Sequence, residues 1–418
     1  MIPAGWDVGT LDDLDADVTS GSRGWAQYYA EHGNPFIRIT NLSRESINLD
    51  LRKLKFVNVP DKGSEGTRTK LAGGDILMSI TADLGTVGFI ENDPEIATYI
   101  SQHVARIRLA DGKCHPKFVA HQLASERHWM LIQRLNDAGA KAGLNLPTIR
   151  SIPVWLPPLP EQQRIAAVLD AWDEAILVAE SLITAQERRL DWIRAKVLTG
   201  IVRLQDFAKP WQTIAIGKVL TEHGQTSTGR EEVHSVSVHQ GLINQIEHLG
   251  RSFAAANTDH YNRVLPGDIV YTKSPTGDFP LGIIKQSRLS KAAIVSPLYG
   301  VFTPTSRELG TIMDTLFASP AAAERLLAPV VQKGAKNTIA VTNKNFLKAQ
   351  LHLPTDQREI VALSELVEAA RAELDVHQAE LKLLRNQKRG LMQKLLSGQW
   401  RVPESIDALL PAVSEVMP

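Results

Sequence analysis

A single cysteine, Cys114, is all that the 418 residues contain. It leaves no partner for a disulfide and too few thiolates for a cysteine zinc site, so a buried structural thiol is its expected role. Long apolar runs are missing too. No eighteen consecutive apolar residues occur, and the N-terminus lacks the basic-then-apolar order of a secretory signal. The expected location is cytoplasmic. Net charge is absent, with 46 Lys+Arg against 46 Asp+Glu, which argues against a sequence-independent nucleic-acid coat protein. The balance is uneven, however. Residues 206–350 hold 15 basic and 11 acidic side chains, and residues 1–150 hold 17 and 18. Any nucleic-acid affinity must therefore come from local clusters.

Motifs of catalysis are also lacking. No G-x-x-x-x-G-K-[ST] phosphate loop occurs, which excludes ATP hydrolysis through such a loop. Asn34-Pro35-Phe36 has part of the Asn-Pro-Pro-aromatic pattern of amino-methyltransferases. It lacks the second proline and any preceding glycine-rich cofactor loop, so it is expected to be a turn before a strand at 36–39. Pro60-Asp61 with Glu65 is followed by no E-x-K of a metal nuclease. His115, His121 and His128 stand six and seven apart, which misses the i,i+4 spacing of a helical metal site. No catalytic or metal-ligating residue is assigned.

What the chain does have is a repeat about 195 residues long. Leu156-Pro-Pro-Leu-Pro-Glu-Gln-Gln-Arg-Ile165 is answered by Leu351-His-Leu-Pro-Thr-Asp-Gln-Arg-Glu-Ile360, and Lys196-Val-Leu-Thr-Gly200 by Lys394-Leu-Leu-Ser-Gly398. Upstream, Gly74-Asp-Ile-Leu77 matches Gly267-Asp-Ile-Val270, Pro3-Ala-Gly-Trp6 matches Ala208-Lys-Pro-Trp211, and Gly139-Ala-Lys141 matches Gly334-Ala-Lys336. Between these anchors the copies diverge. A period this long is a duplicated domain plus connector, not a solenoid. Short β-rich runs at 36–39, 74–79, 86–90 and 104–109 and one helical patch from about Pro116 to Leu135 predict a mixed α/β domain.

Each copy ends in a long amphipathic helix. Ile165, Leu169, Trp172, Ile176, Ala179, Ile183, Gln186, Leu190, Ile193 and Val197 step by four and three. So do Ile360, Leu363, Val367, Ala370, Leu374, His377, Leu381, Leu384, Lys388, Leu391 and Leu395. A sustained 3.5-residue repeat is the seam of a coiled coil. Pro160 and Pro354 are expected at helix starts, and Gly200 and Gly398 at C-terminal caps. Each helix would reach roughly 60 Å at ~1.5 Å per residue. Antiparallel pairing is favoured, with Gln186, His377 and Lys388 as polar seam positions that either set register or lie near exposed ends. The expected boundaries are a first domain at 1–155, a first connector helix at 156–205, a second domain at 206–350, a second connector helix at 351–402, and a tail at 403–418.

The Leu-Pro-x-Leu-Pro-Glu-Gln-Gln-Arg-Ile-Ala opening, the heptad helix, the Lys-x-Leu-x-Gly close and their duplication resemble the specificity subunit of type I restriction–modification enzymes. The similarity spans residues 3–402. Thr355-Asp356 and Glu359 depart from the pattern in the second copy. The resemblance implies two tandem α/β target recognition domains on an antiparallel coiled coil with pseudo-two-fold symmetry, each domain reading one half of a split DNA target. It implies a catalytically silent chain without its own cofactor. Two modification subunits using S-adenosylmethionine and motor-nuclease subunits using ATP and Mg2+ would be its partners. Docking would use the helix openings, Gln163, Arg164, Gln357 and Arg358, beside the seam residues Ile165, Leu169, Trp172, Ile176, Ile183, Leu190, Ile360, Val367, Leu374, Leu381, Leu384 and Leu391.

Reading base edges needs Arg or Lys for guanine and Asn or Gln for adenine, whereas phosphate contacts only position the protein. The first domain offers Arg23 and Tyr28 in a Ser/Gly loop, Arg38 and Asn41 at a strand end, Arg68 and Lys70 in a basic loop, then Thr81, Gln102 and Lys141. The second offers Gln225, Arg230, His239, Gln240, Lys273, Ser274, Lys336 and Asn337. A solvated loop or turn is the plain alternative for each; for Lys141 and Lys336, recurrence favours phosphate contact as much as a turn role. Two other functions compete with the DNA reader. A coiled-coil adaptor leaves the divergence of the loops unexplained, and a self-sufficient methyltransferase or nuclease lacks any motif. Lys336→Ala should weaken all DNA sites alike and lower the salt slope by about one unit, whereas changing Arg38 should alter which sequence is bound. Equal losses on cognate and scrambled DNA would remove Arg38 from base reading.

Overall fold

The computed structural model describes residues 4–21, 23–59, 64–137, 143–246, 258–273, 275–333 and 339–409. The chain forms two units, Met1–Ser181 with Ala379–Pro418, and Leu182–Gln378. Six helices matter below: α1 Pro116–Ala124, α2 Glu126–Asp137, α3 Leu159–Trp192, α4 Arg307–Leu316, α5 Pro320–Leu327 and α6 Gln357–Leu395. The fold is mixed α/β with two long helices.

Each unit is built on an antiparallel four-stranded sheet of the same strand order. In the first the order is Asp17–Ser20, Val104–Arg108, Ile76–Ser79, Val87–Phe89. In the second it is Leu220–Glu222, Gly300–Pro304, Ile269–Tyr271, Ile284–Gln286. The repeated Gly-Asp dipeptide makes the same turn twice. Gly74 and Gly267 sit at φ +83 and +89, where a β-carbon is disfavoured. The buried carboxylates of Asp75 and Asp268 accept the Ala72 and Leu265 amides at 2.8 and 2.7 Å. A two-stranded ribbon then ties each domain's start to the strand before its long helix: Asp7–Thr10 with Pro153–Leu156, and Gln212–Ala215 with Gln350–Leu353. Outside this scaffold the units differ. The first adds a second four-stranded sheet, whereas the second adds the hairpin His234–Ser237/Gly241–Asn244 and the pair Asn262–Val264/Ala293–Val295.

The single helical patch expected over 116–135 is two helices. Ser125 is extended (φ −67, ψ 152); its hydroxyl donates to the Gln122 carbonyl at 2.6 Å and accepts the His128 amide at 3.4 Å. It thus closes α1 and opens α2. The strand expected at 36–39 runs Asn34–Ile37, because Asn41 folds the next residues into a 3-10 turn. Cys114 is buried among apolar neighbours, and burial pushes its thiol up to about 11.

The heptad stripes are the covered faces of both long helices. Ile165, Leu169, Ile176, Ile360, Val367 and Leu395 are buried, and Trp172, Ile183, Leu190, Leu374, Leu381, Leu384 and Leu391 half-buried. Leu177, Val178 and Leu383 face solvent. In the first unit, the Lys388 ammonium lies 2.5 Å from Asp173 and the Arg385 guanidinium 2.7 Å from Glu180, so numbers rise along α3 as they fall along α6. The pair is antiparallel there. In the second unit Glu373 accepts Gln186 and Arg189, each at 2.8 Å. Lys388 is no frayed end: it is 3 % exposed.

An arginine three residues past each capping glycine clasps the opening of the other helix. Gly200 and Gly398 hold φ +74 and +67. Arg203 then makes two 2.7 Å bonds to the buried Glu359 carboxylate and lies over the Trp211 ring, whose Nε1–H donates to Glu359 at 3.1 Å. In the first unit Arg401 pairs with buried Glu161 and lies over the Trp6 ring. Glu359, the residue that interrupts the sequence repeat, thus replaces Glu161. Helix α6 starts at Gln357 and not at Pro354, because Asp356 caps it: its carboxylate accepts the Arg358 amide at 3.0 Å. Bonds from the Arg358 side chain and amide hold that carboxyl down at about 2.

Two predictions follow from this packing. Glu359→Ala leaves Arg203 and the Trp211 Nε1–H without their acceptor and should cost about 3–5 kcal/mol in urea unfolding; a loss below 1 kcal/mol would contradict the clasp. His128, 1 % exposed, sits edge-on to Trp155, with Nε2 2.9 Å from the Pro153 carbonyl. Burial lowers its pKa from 6.5 to about 4. The unfolded chain therefore binds a proton that the native one refuses between those values. Stability should fall as pH drops from about 6.5 toward 4, by at most about 1.4 kcal/mol per unit from this group. His128→Gln should make urea midpoints at pH 7 and pH 5 converge, and an unchanged difference would exclude His128 as the cause.

Candidate nucleic-acid interface

Strand register places the candidate reading loops at one end of each scaffold sheet. In the first unit Ser20 faces Ala105 and Ser79 faces Val104. The segments after Ser20, after Ser79 and before Val104 therefore leave the sheet side by side. Gly21 packs so tightly here that a β-carbon would meet the Ile100 carbonyl at 2.3 Å. Arg68 reaches the same end, its Nη1 donating to Thr19 Oγ1 at 2.6 Å and to the Ser20 carbonyl at 2.7 Å. In the second unit Glu222 faces Phe302 and Tyr271 faces Gly300. The loops after Glu222, after Tyr271 and before Gly300 occupy the equivalent end.

Several candidates gather at the first end. Arg23, Arg68 and Thr81 are exposed, and Tyr28 is half-buried against Trp25; Lys70 is exposed too, but its carbonyl accepts from Arg106 and Arg108, toward the other end of the sheet. His103, absent from the sequence reading, links two of them: its Nδ1 lies 3.0 Å from Thr81 Oγ1 and its Nε2 2.9 Å from Gln102 Nε2. Adjacency to Gln102 was the available signal. Arg38 leaves its strand beside Ser101, whose amide donates to the Ile37 carbonyl at 2.9 Å, and its guanidinium donates to the Lys53 carbonyl at 3.2 Å. Asn41 must be withdrawn as a base reader. It is 0 % exposed, its Oδ1 accepts the Arg38 amide at 2.9 Å, and its Nδ2 donates to the Asp50 carbonyl at 2.7 Å. Both bonds hold the amide inside the protein, out of reach of a base.

At the second end Gln225 and Arg230 are exposed. Lys273 is half-buried at φ +61, a conformation unusual for a side chain of its size, and burial lowers its pKa while Glu222 opposes the shift. His239 and Gln240 are exposed on the turn of the 234–244 hairpin. Lys141, Ser274, Lys336 and Asn337 lie outside the described residues.

The docking candidates at the helix openings differ in availability. Gln357 is exposed, and exposed Arg358 folds back on Asp356 at 3.1 Å. Gln163 is half-buried, and Arg164 pairs with Asp407 at 3.0 Å. His121, Asp170 and Asp173 could together offer three metal ligands. The Lys117 ammonium 2.7 Å from Asp170 and that of Lys388 2.5 Å from Asp173 already neutralise both carboxylates. A cation would be repelled there.

Residues 3–185 match the family model of the type I restriction modification DNA specificity domain. A protein of Methanocaldococcus jannaschii named as type I restriction enzyme MjaX specificity subunit is 23% identical over 282 residues, 66% of this chain and 64% of that relative. The chain thus aligns with just under two thirds of that protein's length. In fold it is similar to the type I restriction-modification system S subunit from M. genitalium, with a TM-score of 0.56 at 15% identity over 93% of this chain and 96% of that one. A chain from a structure on complex assembly and conformational transition of the type I R-M system gives 0.53 at 13% identity, over 96% and 100%.

Asn41→Ala should lower stability by about 1–3 kcal/mol, since two buried partners lose their bonds, and leave relative affinity among DNA sequences unchanged. Arg23→Ala should do the reverse. Competition binding on a randomised duplex pool beside urea unfolding reads both; an altered preference in Asn41→Ala would restore it as a reader.

Proposed function

We propose, on the match of residues 3–185 to the family model of the type I restriction modification DNA specificity domain, that the chain is the non-catalytic sequence-reading subunit of a type I restriction–modification complex. Each unit reads one half of a split DNA target with the loops at the end of its scaffold sheet. The observation that supports this most is the combination of an identical strand order with unlike loops at equivalent ends. A shared frame with divergent tips is what two readers of different half-sequences require. It also weighs against a plain helical adaptor, which has no use for divergent tips.

The helix pair sets the spacer between the half-sites and docks two methyltransferase subunits. Those subunits bring S-adenosylmethionine chemistry, and motor-nuclease subunits bring ATP- and Mg2+-dependent steps. Half-site centres on one face of B-DNA fall about one helical turn, roughly 34 Å, apart. At 34 and 39 residues, α3 and α6 are about 51 and 58 Å long, enough for such a separation.

Methylome sequencing of the host should show one split N6-methyladenine motif that disappears when this chain is deleted. Replacing residues 223–230 should change one half of that motif and leave the other half and the spacer intact. Inserting one turn into both long helices should instead alter the spacer alone. A motif without a gap, or a loop exchange that rewrites both halves, would defeat the reading.

A further inference from the structure

Each recognition domain sits on the long helix that follows it, and the two contacts are chemically different. In the first unit the cation, Lys117, is on the domain, beside a buried histidine and a serine. Lys117 Nζ lies 2.7 Å from Asp170 on α3, His121 Nε2 lies 3.3 Å from it, and Ser46 Oγ donates to Asp173 at 2.8 Å. In the second unit the buried carboxylate is on the domain. Asp314 of α4 lies 3.0 Å from Arg371 of α6, which also donates to Thr315 Oγ1 at 2.7 Å, while Thr311 donates to Glu368 at 3.3 Å.

The repeat lets the two contacts be matched position by position. Helices α1 and α4 each follow the second strand of the scaffold order and are capped by His115 and Ser306. Ile165 and Ile360 open the two seams. In that register Asp170 and Asp173 answer to Glu365 and Glu368, so acids stand at both places in both helices. One turn further the match fails. Ile176, 3 % exposed, answers to Arg371, and Leu123, 0 % exposed, answers to Asp314, 3 % exposed.

We propose that the Asp314–Arg371 pair is a key that admits only the second recognition domain to α6, so the two domains cannot exchange places. A first domain set there would meet Glu365 with Lys117 and His121, and Glu368 with the Ser46 hydroxyl. It would present Leu123 and Ala124 to Arg371. That guanidinium, only 14% exposed, would stay desolvated without a counter-charge, which is the costly half of a broken buried pair. Arg288, 3.2 Å from Asp314, belongs to the second domain and travels with it, so the charge left stranded is the helix's own. In this chain a domain replaced like for like would keep its contact with the helix, whereas one moved between the two positions would lose it. The inference rests on packing and stands whether or not either domain reads DNA.

The test compares two full-length chains, the parent and a chimaera carrying residues 4–155 at both domain positions, each with and without Arg371→Ile. In the parent, Arg371→Ile should lower the urea midpoint of the second unit by about 1 M. In the chimaera the same substitution should raise it by a similar amount, or restore a cooperative transition if none was present. Asp314→Leu combined with Arg371→Ile should return the parent toward its original midpoint. A chimaera as stable as the parent, an effect of the same sign in both chains, or a chimaera that Arg371→Ile leaves unfolded would each overturn the key.

Discussion

A helix with an apolar side chain every 3.5 residues cannot be left in water, and the rest of this chain is arranged around that constraint. Both α3 and α6 carry such a stripe, and within each unit the stripe of one is covered partly by a stretch of the other. Burial of an apolar seam is non-directional and would tolerate several registers. The polar contacts remove that freedom. Lys388 on Asp173 fits one register, and a slip would leave a buried charge unpaired; the exposed Glu373 contact with Gln186 and Arg189 fits one register in the second unit.

The clasps at the helix ends extend the same logic to the domains. Glu161 and Glu359 lie in the first turn of their helices, where the helix dipole favours a negative charge. Each draws in an arginine from beyond the other helix's glycine cap, and that arginine lies over a tryptophan from the beginning of the domain. Helix opening, helix close and domain start thus meet at one point in each unit. The scaffold sheet that follows inherits a fixed foundation, and its far loops are free to vary because nothing in the clasp depends on them.

Much of this was legible in the residues. The heptad stripe, both glycine caps and the duplicated Gly-Asp turn follow from local rules that one chain displays: a period, a positive-φ requirement, a side chain capping its own turn. What was hidden depends on contacts distant in sequence. The Arg203–Glu359 pair spans 156 residues, so Glu359 looked like a flaw in the repeat and not a relocated anchor. Asn41 looked like a base reader because exposure cannot be read from residue type, and its amide turned out to be spent on Arg38 and Asp50. His103 escaped because a lone histidine carries no spacing signal. Ser125 split a helix that the apolar pattern ran straight through, since a serine can cap as readily as it can face solvent.

The central claim is that the two equivalent sheet ends are the surfaces that meet DNA. Hydrogen–deuterium exchange on the assembled complex, with and without a duplex bearing the methylated motif, tests it most directly. The account predicts slowed exchange at residues 20–28, 79–85 and 99–103 in one unit and 223–230 and 272–283 in the other, with the far ends of both sheets unchanged. Protection confined to the long helices, or to one unit only, would contradict it.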